Sequence, residues 1–315
     1  MKYISVQPDI TYFHWQVEVY VVNFISVGIN PNDINVIFMT GPSPSTKVIE
    51  LKNKYSNVNF YFYEDDRLDK SYIPSIKPWG MFKHFSENKY LENEKIFYHD
   101  SDIIFRDKVD ESLFADNKLF MSDTISYIGY EYCVSKGSEQ LEKMANLVGI
   151  SVETIKSNQE SSGGAQYIMN NMQIKYWEKV YNDSNSLYKL MSDIEIGNIP
   201  NGTWSPGKDN SYPIQKWCAE MWATLWNLWY FGYETEIHKE LSFSFATSQV
   251  SDWYDRKIMH NAGVTDNDKA TLFFKGDYTN KIPFDANFDY VDKDKCSFKY
   301  VENILKLKDK HIYKI

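Results

Sequence analysis

The chain is poor in cysteine: Cys133, Cys218 and Cys296 lie far apart in 315 residues, with no CxxC pair. So sparse and odd a set argues against a disulfide framework or a structural zinc site, and for free thiols in a reducing compartment. No run approaches the roughly 18 apolar residues of a membrane helix. The opening stretch Met1-Lys2-Tyr3-Ile4-Ser5-Val6-Gln7-Pro8-Asp9 lacks a secretory apolar core. A soluble, cytoplasmic protein is the expectation. Lys and Arg number 34 against 43 Asp and Glu, a net charge of −9, and nowhere cluster into a stripe. Nucleic acid is thereby disfavoured as the main partner, because counterion release needs grouped cations. Neither GxGxxG nor a Walker-type GxxxxGK loop is present, so a diphosphate bound here would need a metal to carry its charge. No internal repeat or low-complexity tract is visible.

What is present is a full-sized core, with 43% hydrophobic and 17% aromatic residues. The chain is organised around Lys95-Ile96-Phe97-Tyr98-His99-Asp100-Ser101-Asp102-Ile103-Ile104-Phe105. A short apolar strand there delivers Asp100 and Asp102 to the carboxyl edge of a sheet, the edge where ligands bind in open α/β folds. Two hard carboxylate oxygens in that place suit Mg²⁺ or Mn²⁺ bridging to phosphates. Spacing alone favours a solvated turn after a strand; the surrounding pattern decides for the metal pair.

Strands are predicted at 2–6, 35–39 and 58–63. Between them, 10–27 follows helical spacing up to the Gly28-Ile29-Asn30-Pro31 stop, and a helix capped by Ser45 or Thr46 runs to about Tyr55. Alternation of this kind signals parallel crossover units. Lys77-Pro78-Trp79-Gly80 opens a helix ahead of the acidic strand. Further on come a strand at 118–121 and a helix at 140–148. The Ser161-Ser162-Gly163-Gly164-Ala165-Gln166-Tyr167 stretch reads as the most flexible spot, and a mixed helical region at 167–191 reads as broken at Asp183-Ser184-Asn185. The Gly/Pro/Asn/Ser-rich 199–213 reads as a long loop. In the helix at 214–231, Trp222, Leu225, Trp226 and Trp229 form a core stripe from which Glu220 points away. Strand-like pieces at 233–237 and 241–246 precede Ile258-Met259-His260-Asn261. The tail from 285 reads as a surface-wrapping extension.

In order, Lys77-Pro78-Trp79, Asp100-Ser101-Asp102, Gly163-Gly164-Ala165-Gln166, Cys218-Ala219-Glu220-Met221-Trp222-Ala223 and His260-Asn261 resemble a nucleotide-sugar-dependent glycosyltransferase of the GT-A fold. The nearest motif order is that of the hydroxyproline arabinosyltransferase and peptidyl-serine galactosyltransferase type. The resemblance implies a Rossmann-like mixed α/β sheet flanked by helices over residues 1–284, with a nucleotide-binding half at 1–107, a donor-sugar and acceptor half at 108–284, and an extension at 285–315. It implies that Asp100, Asp102 and His260 bind Mn²⁺ or Mg²⁺. Asp100 would also touch ribose, Gly163 and Gly164 the donor sugar, and Lys275 the diphosphate. Lys77, Arg67 and Asp9 would serve the nucleotide-sugar donor, and Glu220 and Gln166 the chemistry. The absence of an amino-terminal anchor departs from that type and favours a bacterial or viral setting over the secretory pathway.

The chemistry coheres. Breaking an anomeric C–O bond leaves a nucleoside diphosphate whose charge a divalent ion stabilises. A carboxylate such as Glu220 serves as base in an inverting enzyme; in a retaining one it stabilises the oxocarbenium-like centre. UDP-sugars are the first expectation for the donor, and a hydroxyl on a glycan, protein or other biomolecule for the acceptor. Two other readings stand beside this one. A metal-dependent phosphohydrolase wants several acids and His in close motifs, whereas the one Asp-x-His, Asp309-Lys310-His311, lies in the tail. A non-catalytic carbohydrate-binding protein needs no acidic pair.

Overall fold

The computed structural model describes residues 1–115, 117–195 and 213–312; nearly all of the expected loop at 199–213 lies outside them. In chain order the first elements are β1 (Lys2–Pro8), α1 (Thr11–Ser26), β2 (Ile34–Thr40), α2 (Thr46–Lys54), β3 (Asn59–Glu64), α3 (Ile76–Glu87), β4 (Ile96–Tyr98) and β5 (Ile103–Phe105). After β6 (Leu119–Asp123) come four short helices, α4 (Ile125–Ile128), α5 (Tyr130–Lys136), α6 (Ser138–Val148) and α7 (Val152–Ser157). The chain continues with β7 (Gly163–Met169), α8 (Ile174–Glu195), α9 (Ala219–Tyr230), β8 (Thr235–Ile237), β9 (Phe243–Phe245), α10 (Val250–Asp255), β10 (Ile258–His260) and α11 (Cys296–Ile312). The fold is mixed α/β, and no helix among the described residues is long and apolar enough to cross a membrane.

The chain divides into two compact units. The first comprises Met1–Glu64, His99–Glu111 and Lys239–Ile315. Its strands β1, β2 and β3 run parallel, Ile4 opposite Asn35 and Val36 opposite Phe60. The connections α1 and α2 are the crossovers that parallel pairing demands. α1 buries residues on most of its circumference, from His14 to Phe24. It ends at Gly28, whose φ of 88° is a backbone region that L side chains rarely adopt. Ser45 caps α2, its hydroxyl accepting from the Val48 amide at 3.4 Å. A small second sheet orders β5-β10-β9. Its core joins Trp15 and Val19 to Met259, Phe273, Tyr300, Val301, Ile304 and Leu307. The tail is therefore not a surface wrap: the polar residues between 285 and 295 conceal the apolar spacing of α11, whose Cys296, Tyr300, Val301, Ile304 and Leu307 are buried in that core.

The second unit comprises Asp65–Tyr98 and Ser112–His238. β7 pairs antiparallel with β4 and β6, and β6 parallel with β8. The Gly163-Gly164 stretch, read as flexible, begins the buried strand β7. A Cβ at Gly163 would stand 2.0 Å from Met121 Cγ and 2.6 Å from the Ser122 carbonyl. Those glycines permit close strand approach at the irregularity between Met121 and Ser122. α8 is also continuous through Asp183-Ser184-Asn185. Asp183 accepts there from Lys179 and from Asn227 of α9, each at 2.8 Å, so residues that suggest a break serve as helix-to-helix ties. The stripe of α9 is buried as core, with the Trp222 indole donating to the Ile128 carbonyl at 2.9 Å.

Candidate functional site

In the first unit, the His99 amide donates to the Ile4 carbonyl of β1 at 3.1 Å. Three residues, Asp100, Ser101 and Asp102, then turn the chain into β5. β5 pairs antiparallel with β10, Ile103 opposite His260, and the Asn261 amide donates to the Asp102 carbonyl at 2.9 Å. This register brings together residues 158 positions apart in sequence. His260 Nε2 lies 3.1 Å from Asp102 Oδ1 and 3.7 Å from Asp100 Oδ2. One ligand atom from each of Asp100, Asp102 and His260 falls within 4.8 Å of the others. A divalent ion draws its ligands in to about 2.1 Å, so small side-chain movements close that spread. Two hard oxygens and one imidazole nitrogen form a donor set that fits Mn²⁺ or Mg²⁺.

Lys275, from the turn Lys275–Tyr278, completes the cluster by pairing its ammonium with Asp102 Oδ2. Burial alone would raise the Asp102 pKa, but Lys275 and then His260 outweigh it and hold the carboxyl well below its usual range. Burial likewise opposes the charge on Lys275, and Asp102 reverses that and holds the ammonium above its ordinary value. Near that ammonium, the Tyr12 hydroxyl of α1 has its pKa raised by burial, against the charge of Lys275. Between the two aspartates, the Ser101 hydroxyl donates to Gln16 Oε1 at 3.2 Å. Asp9, expected near the nucleotide, is engaged by His14 Nε2 at 2.7 Å, the Ser45 amide at 2.7 Å and the Ser45 hydroxyl at 2.6 Å. It fixes the start of α2.

The second unit has its own charged centre. Glu220 lies in the first turn of α9 and is buried. Its Oε2 pairs with Lys77 at 2.9 Å, and its Oε1 accepts from the Tyr98 and Thr224 hydroxyls, each at 3.3 Å. Its amide donates to the Tyr72 hydroxyl at 2.9 Å, and that hydroxyl donates to the Trp217 carbonyl at 2.5 Å. The carboxylate, expected to point away from the tryptophan stripe, is turned inward onto Lys77 of α3 and Tyr98 of β4. Gln166 is buried on β7 and accepts from the Ser122 hydroxyl at 2.6 Å. Gly163 and Gly164 open the same strand. Arg67 is clamped by Asp65 at 2.8 Å, by the Ser75 hydroxyl at 2.8 Å and by the Tyr72 carbonyl at 3.3 Å. Its guanidinium braces its own loop.

The site residues therefore fall into two groups, Asp9, Asp100, Asp102, His260 and Lys275 in one unit and Arg67, Lys77, Gly163, Gly164, Gln166 and Glu220 in the other. Tyr12, Gln16, Tyr72 and Tyr98 escaped sequence reasoning. Only Tyr12 and Gln16 carried a signal, being polar positions on a helix buried along most of its length.

No protein-family model and no curated protein matches the chain. Among solved structures it is similar to the apo structure of the bifunctional glycosyltransferase WbbM, at a TM-score of 0.50 and 12% identity over 100% of this chain. It spans about half of that protein, 51% of its chain. The galactosyltransferase LgtC, in complex with donor and acceptor sugar analogs, gives a TM-score of 0.44 at 14% identity, covering 96% of this chain and 95% of that one. An active-site mutant of LgtC gives 0.45 at 12% identity with the same coverage. Neither LgtC likeness carries an argument. The WbbM likeness bears on the fold alone, a mixed α/β arrangement of the GT-A glycosyltransferase type.

Proposed function

We propose that the chain is a metal-dependent glycosyltransferase. It would move a sugar from a nucleoside diphosphate sugar, first of all a UDP-sugar, to a hydroxyl on a glycan, protein or other biomolecule. The observation that carries this reading is the grouping of Asp100, Asp102 and His260 within 4.8 Å directly after a sheet strand, in a fold shared with a glycosyltransferase. Motif order favours the hydroxyproline arabinosyltransferase and peptidyl-serine galactosyltransferase type within that class. Buried free Cys133, Cys218 and Cys296 suit a reducing, cytoplasmic setting.

Transfer breaks the anomeric C–O bond and leaves a nucleoside diphosphate carrying new negative charge. Asp100, Asp102 and His260 would hold Mn²⁺ or Mg²⁺, which supplies a Lewis acid for that charge. Lys275 adds a mobile positive charge beside the same carboxylate. In the second unit, Glu220 takes the acceptor's proton if the reaction inverts. If it retains, a leaving phosphate oxygen takes the proton, and Glu220 and Gln166 stabilise the oxocarbenium-like centre. Gly163 and Gly164, at the start of β7, would touch the donor sugar, and Lys77 orients Glu220. Asp9 and Arg67 each brace a loop within their own unit.

The test is a panel of nucleotide sugars incubated with the purified chain, with and without Mn²⁺. One donor should release its nucleoside diphosphate only with metal. Asp102→Asn should lower metal-dependent UDP or GDP affinity by about 10²-fold, as loss of a metal contact does. Release of inorganic phosphate instead would favour a phosphohydrolase, and unchanged nucleotide affinity in Asp102→Asn would reject the site.

A further inference from the structure

The cation facing Asp102 belongs to the chain itself. His260 Nε2 takes Oδ1 at 3.1 Å and Lys275 Nζ takes Oδ2. Both oxygens of a carboxylate whose side chain is only 6% exposed are thus occupied from within, and one of the cluster's three carboxylate and imidazole groups is already neutralised. We propose that Lys275 is an internal stand-in for the metal: its ammonium holds Asp102 until a divalent ion arrives, and then turns to the diphosphate that the ion accompanies. This rests on the metal–diphosphate reading above.

The geometry supplies the means. An entering ion needs an Asp102 oxygen and brings two charges beside the one on Lys275. Repulsion over a few ångströms in a poorly solvated site makes the two cations exclusive. Lysine is a point charge on a flexible stem, and this one is 28% exposed, so its head can leave while its base stays. Phe273 and Tyr278, on either side, are buried in the core of the first unit. A Cβ at Gly276 would meet the Phe274 ring at 2.3 Å, which fixes the chain path beside the lysine. Once released, the ammonium needs an anion, and a diphosphate on the metal supplies one. Metal and diphosphate must then strengthen each other's binding by the same factor. A lysine that only recognises diphosphate would give no gain in metal affinity when removed; a stand-in would.

The experiment counts free Mn²⁺ by electron paramagnetic resonance during titration of the full chain, with and without UDP. Wild type, Lys275→Met and Lys275→Arg are compared. Lys275→Met should bind Mn²⁺ alone about 10-fold tighter than wild type and lose most of the Mn²⁺–UDP coupling, a change within the usual range of coupling between sites. Lys275→Arg, which keeps the cation, should stay near wild type. Equal or weaker Mn²⁺ binding by Lys275→Met overturns the stand-in, while coupled Mn²⁺ and UDP binding in wild type would still uphold the transferase reading. Failure of wild type to bind Mn²⁺ in either condition overturns both. Should Lys275→Met not fold, wild type answers alone. Acylation of Lys275, read by mass spectrometry, should rise with Mn²⁺ and fall again when UDP is added; acylation indifferent to Mn²⁺ overturns the proposal.

Discussion

Asp102 in the first unit and Glu220 in the second are both buried carboxylates paired with a lysine, and their side chains are 6% and 5% exposed. Their surroundings differ. Glu220 meets Lys77, two hydroxyls and the amino end of α9, so one negative charge faces one lysine, two donors and a favourable helix dipole. Asp102 shares Lys275 with a second carboxylate, Asp100, and a histidine lies between the two acids. The first group gathers two carboxylates and an imidazole whose ligand atoms lie within 4.8 Å of one another, a donor set that a divalent ion can use. Grouping of ligand atoms, more than burial, separates the two centres.

The largest expected effect breaks this comparison from the Glu220 side. Glu220→Gln leaves the Lys77 ammonium without its carboxylate, and loss of one partner of a buried pair costs about 3–5 kcal/mol. Asp102→Asn should cost less stability, because Lys275 can reach water more readily than Lys77, at 28% against 20% exposure. Combining Glu220→Gln with Lys77→Met should recover most of the stability in chemical denaturation. Sugar transfer by that double variant should stay slower by about 10²-fold if Glu220 acts on the acceptor. Transfer that recovers along with stability would make Glu220 a structural acid.

Acid sharpens the same contrast. His84 of the second unit and His99 of the first are both pushed down to about 4 by burial, from an ordinary 6.5. Between those values the unfolded chain binds a proton at each and the folded chain does not. Stability is therefore complete above pH 6.5 and is lost as pH falls towards 4, by up to about 3 kcal/mol per histidine. Asp102 shifts the opposite way with respect to acid: held below its ordinary 3.8, its pairing survives that window and fails only at lower pH. Denaturation at pH 7.5 and pH 5 should show His84→Gln losing about half of the wild-type pH dependence. An undiminished pH dependence would place the titrating groups elsewhere.

These contrasts also explain what could be read from the chain. The parallel half was legible because apolar spacing alternates cleanly between β1, α1, β2, α2 and β3, with a capping serine and a stop glycine marking helix ends. The Asp100-Ser101-Asp102 turn could be located because a strand leads into it, and His260 because it ends an apolar run. Long-range pairing left no local trace. Lys77 and Glu220 stand 143 residues apart, and nothing beside either names the other. Gly163-Gly164 read as flexible because glycine reports both freedom and crowding, and only Met121 and Ser122 across the strand pair distinguish them. Asp183 read as a break because its partner Asn227 lies on another helix.

The smallest effect tests how the acidic turn is held. Glu220 is anchored at its backbone by the Tyr72 hydroxyl; the corresponding tie in the first unit is the Ser101 hydroxyl on Gln16, which is itself fixed by donation to the Tyr12 carbonyl at 2.8 Å. Ser101 lies between the two aspartates, so this tie sets their turn against the same α1 that presents Tyr12 to Lys275. Ser101→Ala removes one hydrogen bond, worth about 1 kcal/mol of stability. If the tie aligns the carboxylates, Mn²⁺ affinity should also fall by about 10-fold or less, as it does when an outer contact of a metal site is lost. Reduced stability with unchanged Mn²⁺ affinity would confine Gln16 to anchoring α1, and the two aspartates would then owe their alignment to the β5–β10 register alone.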